Sequence, residues 1–156
     1  MMTMKQKTLQ HVMTDPAVDT ALALVADMEG MSKDLVTTIV ESGLPLMANV
    51  ADADPWVFKA MYAQSVKYQP EPTATLYAKL GKNAQARRAL ADDFEGMFGQ
   101  QTLTITRYSA TEANTTEKQA SDVLAATMPA VVKALGRANT NANEMGFGRQ
   151  LRNLSA

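Results

Sequence analysis

The chain has 156 residues and a formal net charge of −1, with 46% apolar residues, 20% charged residues and no cysteine. This composition is typical of a soluble globular protein with one core. The lack of thiols excludes disulfides, thiolate metal sites and cysteine nucleophiles. The single histidine, His11, excludes mechanisms that need two imidazoles. We therefore expect a protein that is not an enzyme, with no catalytic residues, no metal and no cofactor.

The first residues lack the pattern of a signal peptide. Lys7, Gln10 and His11 interrupt any apolar run near the N terminus. Nowhere does the sequence hold 18 consecutive apolar residues, the length that a membrane-spanning helix needs. We expect a cytoplasmic protein with no membrane span, in which residues 1–14 form a separate N-terminal segment with His11 at the surface.

A helix–turn–helix unit follows this segment. Asp15 before Pro16 marks a helix start, because Asp caps the first amides and proline fits the first helical position. Gly30 ends this helix and Ser32 caps the next one. Pro45 lies inside the second helix, where it removes one backbone hydrogen bond. We therefore expect that helix to kink or to break near its middle.

An aromatic helical block is predicted over residues 54–99. Asp54 caps a helix that reaches Tyr68, a short helix follows over residues 73–80, and a third helix stops at Gly99. Seven of the nine aromatic residues of the chain fall in this block and distinguish it from its neighbours. They are Trp56, Phe58, Tyr62, Tyr68, Tyr77, Phe94 and Phe98.

The first helix of this block is apolar over more than half its circumference. Phe58 and Tyr62 are four residues apart and share one face, while Val57 and Met61 form the neighbouring stripe. Such a helix is either central to a core or half core and half interface. Because a domain of this size has little room for an enclosed helix, we predict that Trp56, Phe58 and Tyr62 form an exposed apolar patch for self-association.

A basic cluster comes next along the chain. It consists of Lys79, Lys82, Arg87 and Arg88, and Tyr77 before it offers a ring for stacking on a base. A solvated helix face is the simpler interpretation of these four residues. If the chain binds nucleic acid, however, this cluster is the predicted surface.

The pattern of residues 15–53 returns in residues 100–137 at an offset of 84 residues. Thr116 takes the place of Ser32 as a cap, and Pro129 takes the place of Pro45. Both segments repeat apolar or small residues at the same eight positions with helical spacing, and we predict a duplicated helix–turn–kinked-helix unit. The eight positions are Val36, Ile39, Val40, Gly43, Leu44, Met47, Ala48 and Ala51 in the first copy and Ala120, Val123, Leu124, Thr127, Met128, Val131, Val132 and Leu135 in the second.

One arm of the second copy is ambiguous. Residues 102–106 alternate with the period of a strand, whereas the repeat favours a helix over residues 101–113. With the helical interpretation the chain is all-α, a compact single domain of seven or eight helices over residues 15–137. Residues 138–143, rich in Asn, Thr and Ala, are expected to be a loose linker within a flexible tail, 138–156, that orders only if a partner holds it.

Two motifs of the second copy carry a family resemblance. A loop with Gly and Gln, Phe94–Gln101, precedes the helix pair, and the closing helix Met128–Gly136 contains a proline and ends in Ala-Leu-Gly. With these motifs, residues 94–137 resemble a YidB-like bacterial family of unknown function. The resemblance implies a compact helical fold and no known chemistry, so it contributes no site residues.

The predicted function is that of a non-enzymatic helical protein that binds another protein or assembles with itself into a homo-oligomer. Two alternatives stay open. The first is a nucleic-acid-associated protein that uses the basic surface from Lys79 to Arg88. The second is a carrier of a small ligand or lipid, with a pocket between the two repeat copies.

The proline of the second copy gives a first prediction. Pro129→Ala restores a backbone donor and straightens a helix whose neighbours are shaped around the proline. We expect the variant to lose about 1 kcal/mol or more of unfolding free energy, because a packed core tolerates such repacking poorly. Thermal unfolding followed by circular dichroism measures the change. An unchanged or raised melting temperature would contradict the prediction.

Overall fold

The computed structural model describes residues 1–137 and 143–155, which form nine α-helices and no strand. The predicted all-α class is confirmed, but seven or eight helices was too few, because both terminal segments are helical. Within the described ranges, no helix combines the length and apolarity that a bilayer crossing needs. The helices are α1 Met4–Met13, α2 Pro16–Glu29, α3 Lys33–Ala53, α4 Pro55–Tyr68, α5 Thr73–Lys82, α6 Ala84–Phe98, α7 Gln101–Ala113, α8 Glu117–Arg137 and α9 Glu144–Leu154.

Helix α8 lies at the centre of the molecule. Fourteen of its 21 residues are buried, and every residue from Val123 to Leu135 belongs to this set. This segment is covered on all sides because α2, α3, α4, α6, α7 and α9 pack against α8. Pro129 is buried inside it, and the helix continues through the proline. All eight predicted apolar positions of α8, and all eight of α3, are buried.

The helix pairs α2–α3 and α7–α8 have matching local geometry. Helices α3 and α8 both have 21 residues. The turn residues Gly30 (φ 64°) and Asn114 (φ 55°) are both left-handed, a conformation that glycine and asparagine tolerate best. Ser32 and Thr116 each accept a hydrogen bond from the backbone amide three residues on, at 3.1 Å in both cases. The predicted caps of the two long helices are therefore confirmed.

Helix α7 resolves the ambiguity over residues 101–113, which are helical. Its buried face carries Ile105, Ser109 and Ala110. Thr106 fits the helix because its hydroxyl donates to the carbonyl of Thr102, 3.0 Å away, and so needs no partner outside it. The strand-like alternation was misleading because threonine occurs at both buried and exposed positions of this helix.

The two helix pairs cross over each other. Helix α3 packs most extensively against α7, and α2 packs most extensively against α8. Gly43 permits the approach of α7, because a Cβ there would lie 2.7 Å from Ser109 Oγ and 2.9 Å from a methyl group of Leu124. The apolar face of the first pair is therefore covered mainly by the second pair, whereas α8 also packs extensively against α4 and α6.

Polar contacts fix the aromatic block to α8. The Tyr77 hydroxyl donates to the carbonyl of Ala126 at 2.6 Å, and burial raises the pKa of Tyr77 far above its ordinary value. Lys133 Nζ donates to the carbonyl of Glu71 at 2.6 Å, and Gln69 Nε2 donates to the carbonyl of Lys133 at 3.0 Å. These bonds hold both α5 and the proline-rich loop before it against the central helix.

The ends of the chain differ from the sequence predictions. The N-terminal segment forms α1, whose Val12 and Met13 lie in the core. The expected flexible tail was wrong for residues 144–154, which form α9. Phe147, Leu151 and Leu154 share one face at helical spacing and are at most 1% exposed, so they anchor α9 to the core. Residues 138–142 of the predicted loose linker lie outside the described residues.

A close approach between α4 and α8 gives a second prediction. A Cβ at Gly136 would overlap Ser65 Oγ and lie 2.7 Å from Gln69 Nε2, whose amide already bonds to Lys133. We expect Gly136→Ala to cost about 1–3 kcal/mol of unfolding free energy through overpacking. The matched control is Gly96→Ala at an exposed helical position with no atom near the added methyl group.

The control should raise stability by about 0.5–1 kcal/mol, because alanine favours the helix more than glycine does. Chemical denaturation measures both variants. Equal stability changes for Gly136→Ala and Gly96→Ala would contradict the packing argument.

Candidate functional site

The aromatic face of α4 is covered by α9 of the same chain. The Phe147 ring lies 5.9 Å from the Phe58 ring and 5.6 Å from the Tyr62 ring, with interplanar angles of 65° and 60°. These are favourable edge and tilted geometries for aromatic pairs. A Cβ at Gly148 would lie 3.2 Å from the Phe58 ring, so the α9 backbone sits directly against it.

The structure separates the three residues of the predicted self-association patch. Phe58 and Tyr62 are half-buried beneath α9, whereas Trp56 is 76% exposed at the start of α4. Val57 and Met61, the neighbouring stripe, are buried in the core. Only Trp56 of the three is therefore open to a partner, and α9 occupies the face that the other two provide.

Most of the exposed large apolar side chains belong to α4, α9 and the N-terminal segment. Helices α1 and α4 both pack against α9. Six of the eight large apolar residues that are exposed in the described chain lie on these three helices or directly before α1, and we call the region the α1–α4–α9 surface. The six are Met1, Met2, Met4, Trp56, Val66 and Met145; the other two, Leu103 and Tyr108, lie on α7.

The predicted basic cluster is divided between two depressions of the surface. Its two lysines lie on α5, and its two arginines lie near the start of α6. Lys79 pairs with Glu71 at 3.1 Å, and Arg87 donates to the carbonyl of Leu80 at 2.6 Å. The residues concerned are Lys79, Lys82, Arg87 and Arg88. Part of their donor capacity is therefore used within the chain.

A cleft of about 320 Å³ lies where the end of α2 meets the first halves of α6 and α8. Its volume is at the lower end of small-molecule sites. We call it the Glu29 cleft. Its walls carry two anionic and three cationic side chains, and its remaining lining is apolar. The lining residues are Met28, Glu29, Arg87, Arg88, Ala91, Lys118, Asp122 and Ala126.

Glu29 is the perturbed group of this cleft. Burial raises the pKa of Glu29, and the negative charge of Asp122 raises it further, while Lys118 and Arg87 act in the opposite direction. Lys118 bonds to Asp122 at 2.8 Å. The side chains of Glu29 and Arg88 form no hydrogen bond or ion pair within the parts of the chain that the structure describes. The cleft therefore offers one anion and one cation for a ligand.

The other titratable residues of interest have structural positions. His11 is exposed on α1. The carboxylates of Asp15 and Asp54 accept hydrogen bonds from helix amides at 2.8 Å and 2.9 Å, as their caps predict. Asp15 also pairs with Arg137 at the end of α8. Across residues 1–137 and 143–155, no three His, Cys, Asp or Glu side chains are grouped to hold a metal ion.

Phe147 is the site residue that the sequence analysis missed. Its spacing from Leu151 and Leu154, four and seven residues on, is the signal that identifies the buried face of α9. Gly146 and Gly148 on either side of Phe147 disguise that signal, because glycine is unfavourable inside a helix. The ring contacts to Phe58 and Tyr62 involve partners far away in sequence and leave no local pattern.

Comparisons of the chain with protein-family models, with curated proteins and with solved structures give no match. The resemblance of residues 94–137 to the YidB-like family therefore stays a prediction from the sequence. The function is argued below from the α1–α4–α9 surface and the Glu29 cleft.

The raised pKa of Glu29 gives a third prediction. A carboxyl whose folded pKa is above its unfolded value stabilises the fold when protonated and loses that contribution as the pH rises through the folded pKa. We therefore expect Glu29→Gln to raise the melting temperature at pH 7 and to leave it nearly unchanged at pH 3, where Glu29 is also neutral.

Thermal unfolding at the two pH values tests this expectation. Glu112→Gln, at an exposed position of α7 outside the cleft, removes the same charge and serves as the control. A melting temperature of Glu29→Gln at pH 7 equal to or below that of the unsubstituted chain would contradict the prediction.

Proposed function

We propose that this chain is a non-enzymatic interaction protein whose partner is a second copy of itself, bound through the α1–α4–α9 surface. The observation that carries the proposal is the exposure of Trp56, 76% of whose surface faces solvent. Tryptophan is enriched among the residues that dominate binding energy at protein interfaces. Its burial between two copies removes a large apolar surface from water, which favours association.

Two further exposed apolar side chains on the same helices support the proposal. Val66 on α4 is 54% exposed and Met145 on α9 is 76% exposed. A two-fold dimer uses the same patch on both copies, so each of these residues counts twice in the interface. Methionine side chains at such a surface adapt easily to the shape of a partner.

The charge of the chain also supports self-association. The formal net charge is −1, so two copies repel each other little. Proteins with a net charge near zero associate more readily than strongly charged ones. The balance of charges also gives no general attraction for a polyanion, which favours a protein partner over a nucleic acid.

The proposal includes an internal duplication of the helix–turn–kinked-helix unit. The equal lengths of α3 and α8, the left-handed turns at Gly30 and Asn114 and the shared prolines favour two copies of one ancestral unit. Such a duplication agrees with the resemblance of the second copy to the YidB-like bacterial family. The proposal also includes the cytoplasmic location expected from the sequence.

The Glu29 cleft favours a carrier of small polar molecules as a second candidate function. It lies between α2 of the first helix pair and α8 of the second, and Glu29 and Arg88 are both available in it. Its charged walls suit a small zwitterion better than a lipid chain. The division of the basic residues between two depressions makes a nucleic-acid surface the weaker alternative.

The proposal predicts the effect of a charge at Trp56. Trp56→Glu should weaken self-association at least tenfold without loss of helical circular dichroism, because the side chain has few contacts within its own chain. Sedimentation equilibrium measures the association of both proteins. Lys59→Glu, at an exposed position of the same helix, is the matched control and should associate more tightly than Trp56→Glu. An unsubstituted chain that is monomeric at high micromolar concentration would overturn the proposed self-association.

A further inference from the structure

Helix α9 packs into an apolar groove in the way that an amphipathic peptide binds a receptor protein. The groove is formed by α1, α3, α4 and α8. Phe147, Leu151 and Leu154 enter it at positions i, i+4 and i+7, and each is at most 1% exposed. This is the spacing by which an amphipathic helix is recognised in an apolar groove. The rings of Phe58 and Tyr62 form the part of the groove that receives Phe147.

On its own, α9 has little tendency to be helical. It has 11 residues, below the length at which isolated helices are stable in water. It also contains Gly146 and Gly148, and glycine inside a helix is destabilising. The helix therefore depends on the groove, and undocking and unfolding of α9 are one local event. That event exposes the apolar groove and the apolar face of the segment together.

The contacts of α9 do not require that it belong to the same chain. The groove binds side chains that every copy of the chain carries, and residues 138–142 are the covalent tether between α8 and α9. Trp56 and Met145, each 76% exposed, precede Phe58 and Phe147 by two residues. Both helices of the contact, α4 and α9, therefore also carry apolar surface that is unused within one chain.

We propose that the groove accepts α9 of a second copy, and that reciprocal exchange of α9 is the contact by which two copies associate. This inference rests on the proposed self-association and specifies its structural basis. Exchange of an identical element keeps every contact of the closed chain, so it is a low-cost route to a dimer. A tethered segment competes at an effective concentration on the order of millimolar, so exchange increases with protein concentration.

A pair of full-length variants tests the exchange by complementation. Phe147→Asp keeps the groove but has an α9 that cannot dock, whereas Phe58→Asp keeps α9 but has a damaged groove. In an equimolar mixture, α9 of the second variant should dock in the groove of the first. Sedimentation equilibrium of the mixture should then give a heterodimer with a dissociation constant at least tenfold below that of either variant alone.

The matched control is a mixture of Phe147→Asp and Leu151→Asp. Both control variants keep the groove and neither has a helix that fits it, so the mixture should behave as the sum of its components. If the test mixture behaves like the control while the unsubstituted chain self-associates, exchange is wrong and the proposed function stands. If the unsubstituted chain is monomeric at high micromolar concentration, both are wrong.

A second measurement does not depend on the folding of core variants. A fluorescently labelled peptide of residues 143–155 is titrated with the unsubstituted full-length chain and followed by fluorescence anisotropy. The peptide should bind in competition with the chain's own α9, and the same peptide with Phe147→Asp should bind at least tenfold more weakly. Equal binding of the two peptides, or no binding at millimolar chain, would overturn the exchange.

Discussion

The burial of α8 on every side from Val123 to Leu135 is the constraint on which the rest of the structure depends. A helical segment without a solvent face must be surrounded, and the neighbouring helices are arranged to do so. The polar groups that remain on α8 need partners, because an unpaired buried polar group is costly. The Thr127 hydroxyl donates to the carbonyl of Val123 at 2.8 Å, and Lys133 reaches the backbone of the loop before α5. The central helix therefore determines the positions of the helices that pack against it and of the loop that bonds to it.

The candidate interaction surface follows from this arrangement. Helix α4 faces α8 closely enough that Gly136 has no room for a side chain. With that side of α4 occupied, Phe58 and Tyr62 point toward another part of the molecule and need a separate cover. Helix α9 supplies the cover through Phe147 and leaves Trp56 in solvent. Two aromatic residues of α4, Phe58 and Tyr62, thus form an intramolecular contact, while Trp56 is exposed.

The sequence predicted the features that depend on residues close together along the chain. Side-chain caps at Asp15, Ser32 and Asp54, and the buried positions of α3 and α8, are read from local spacing and are confirmed. The covering of Phe58 by Phe147 joins residues almost ninety positions apart, and no local pattern contains it. Helix α9 was missed because its glycines lower the helical propensity that tertiary packing overrides.

The burial of α8 outside its apolar stripe also could not be predicted from periodicity. Its eight apolar positions indicated one stripe, and the small residues between them allow other helices to approach from the remaining sides. Ala125, Ala126 and Ala130 are each at most 5% exposed. Alanine gives little hydrophobic signal in a sequence, yet it lets helices pack closely. The Glu29 cleft likewise combines residues from three helices that are distant along the chain.

The crossed packing of the two helix pairs has a consequence for the synthesis of the protein. The α2–α3 pair leaves the ribosome long before its partners, since Asn114 follows Gly30 by 84 residues. At a translation rate of about 5–20 residues per second, the second pair is synthesised about 4–17 s after the first. The apolar faces of the first pair lack these partners until then. During that interval the nascent chain exposes the side chains that later form its core.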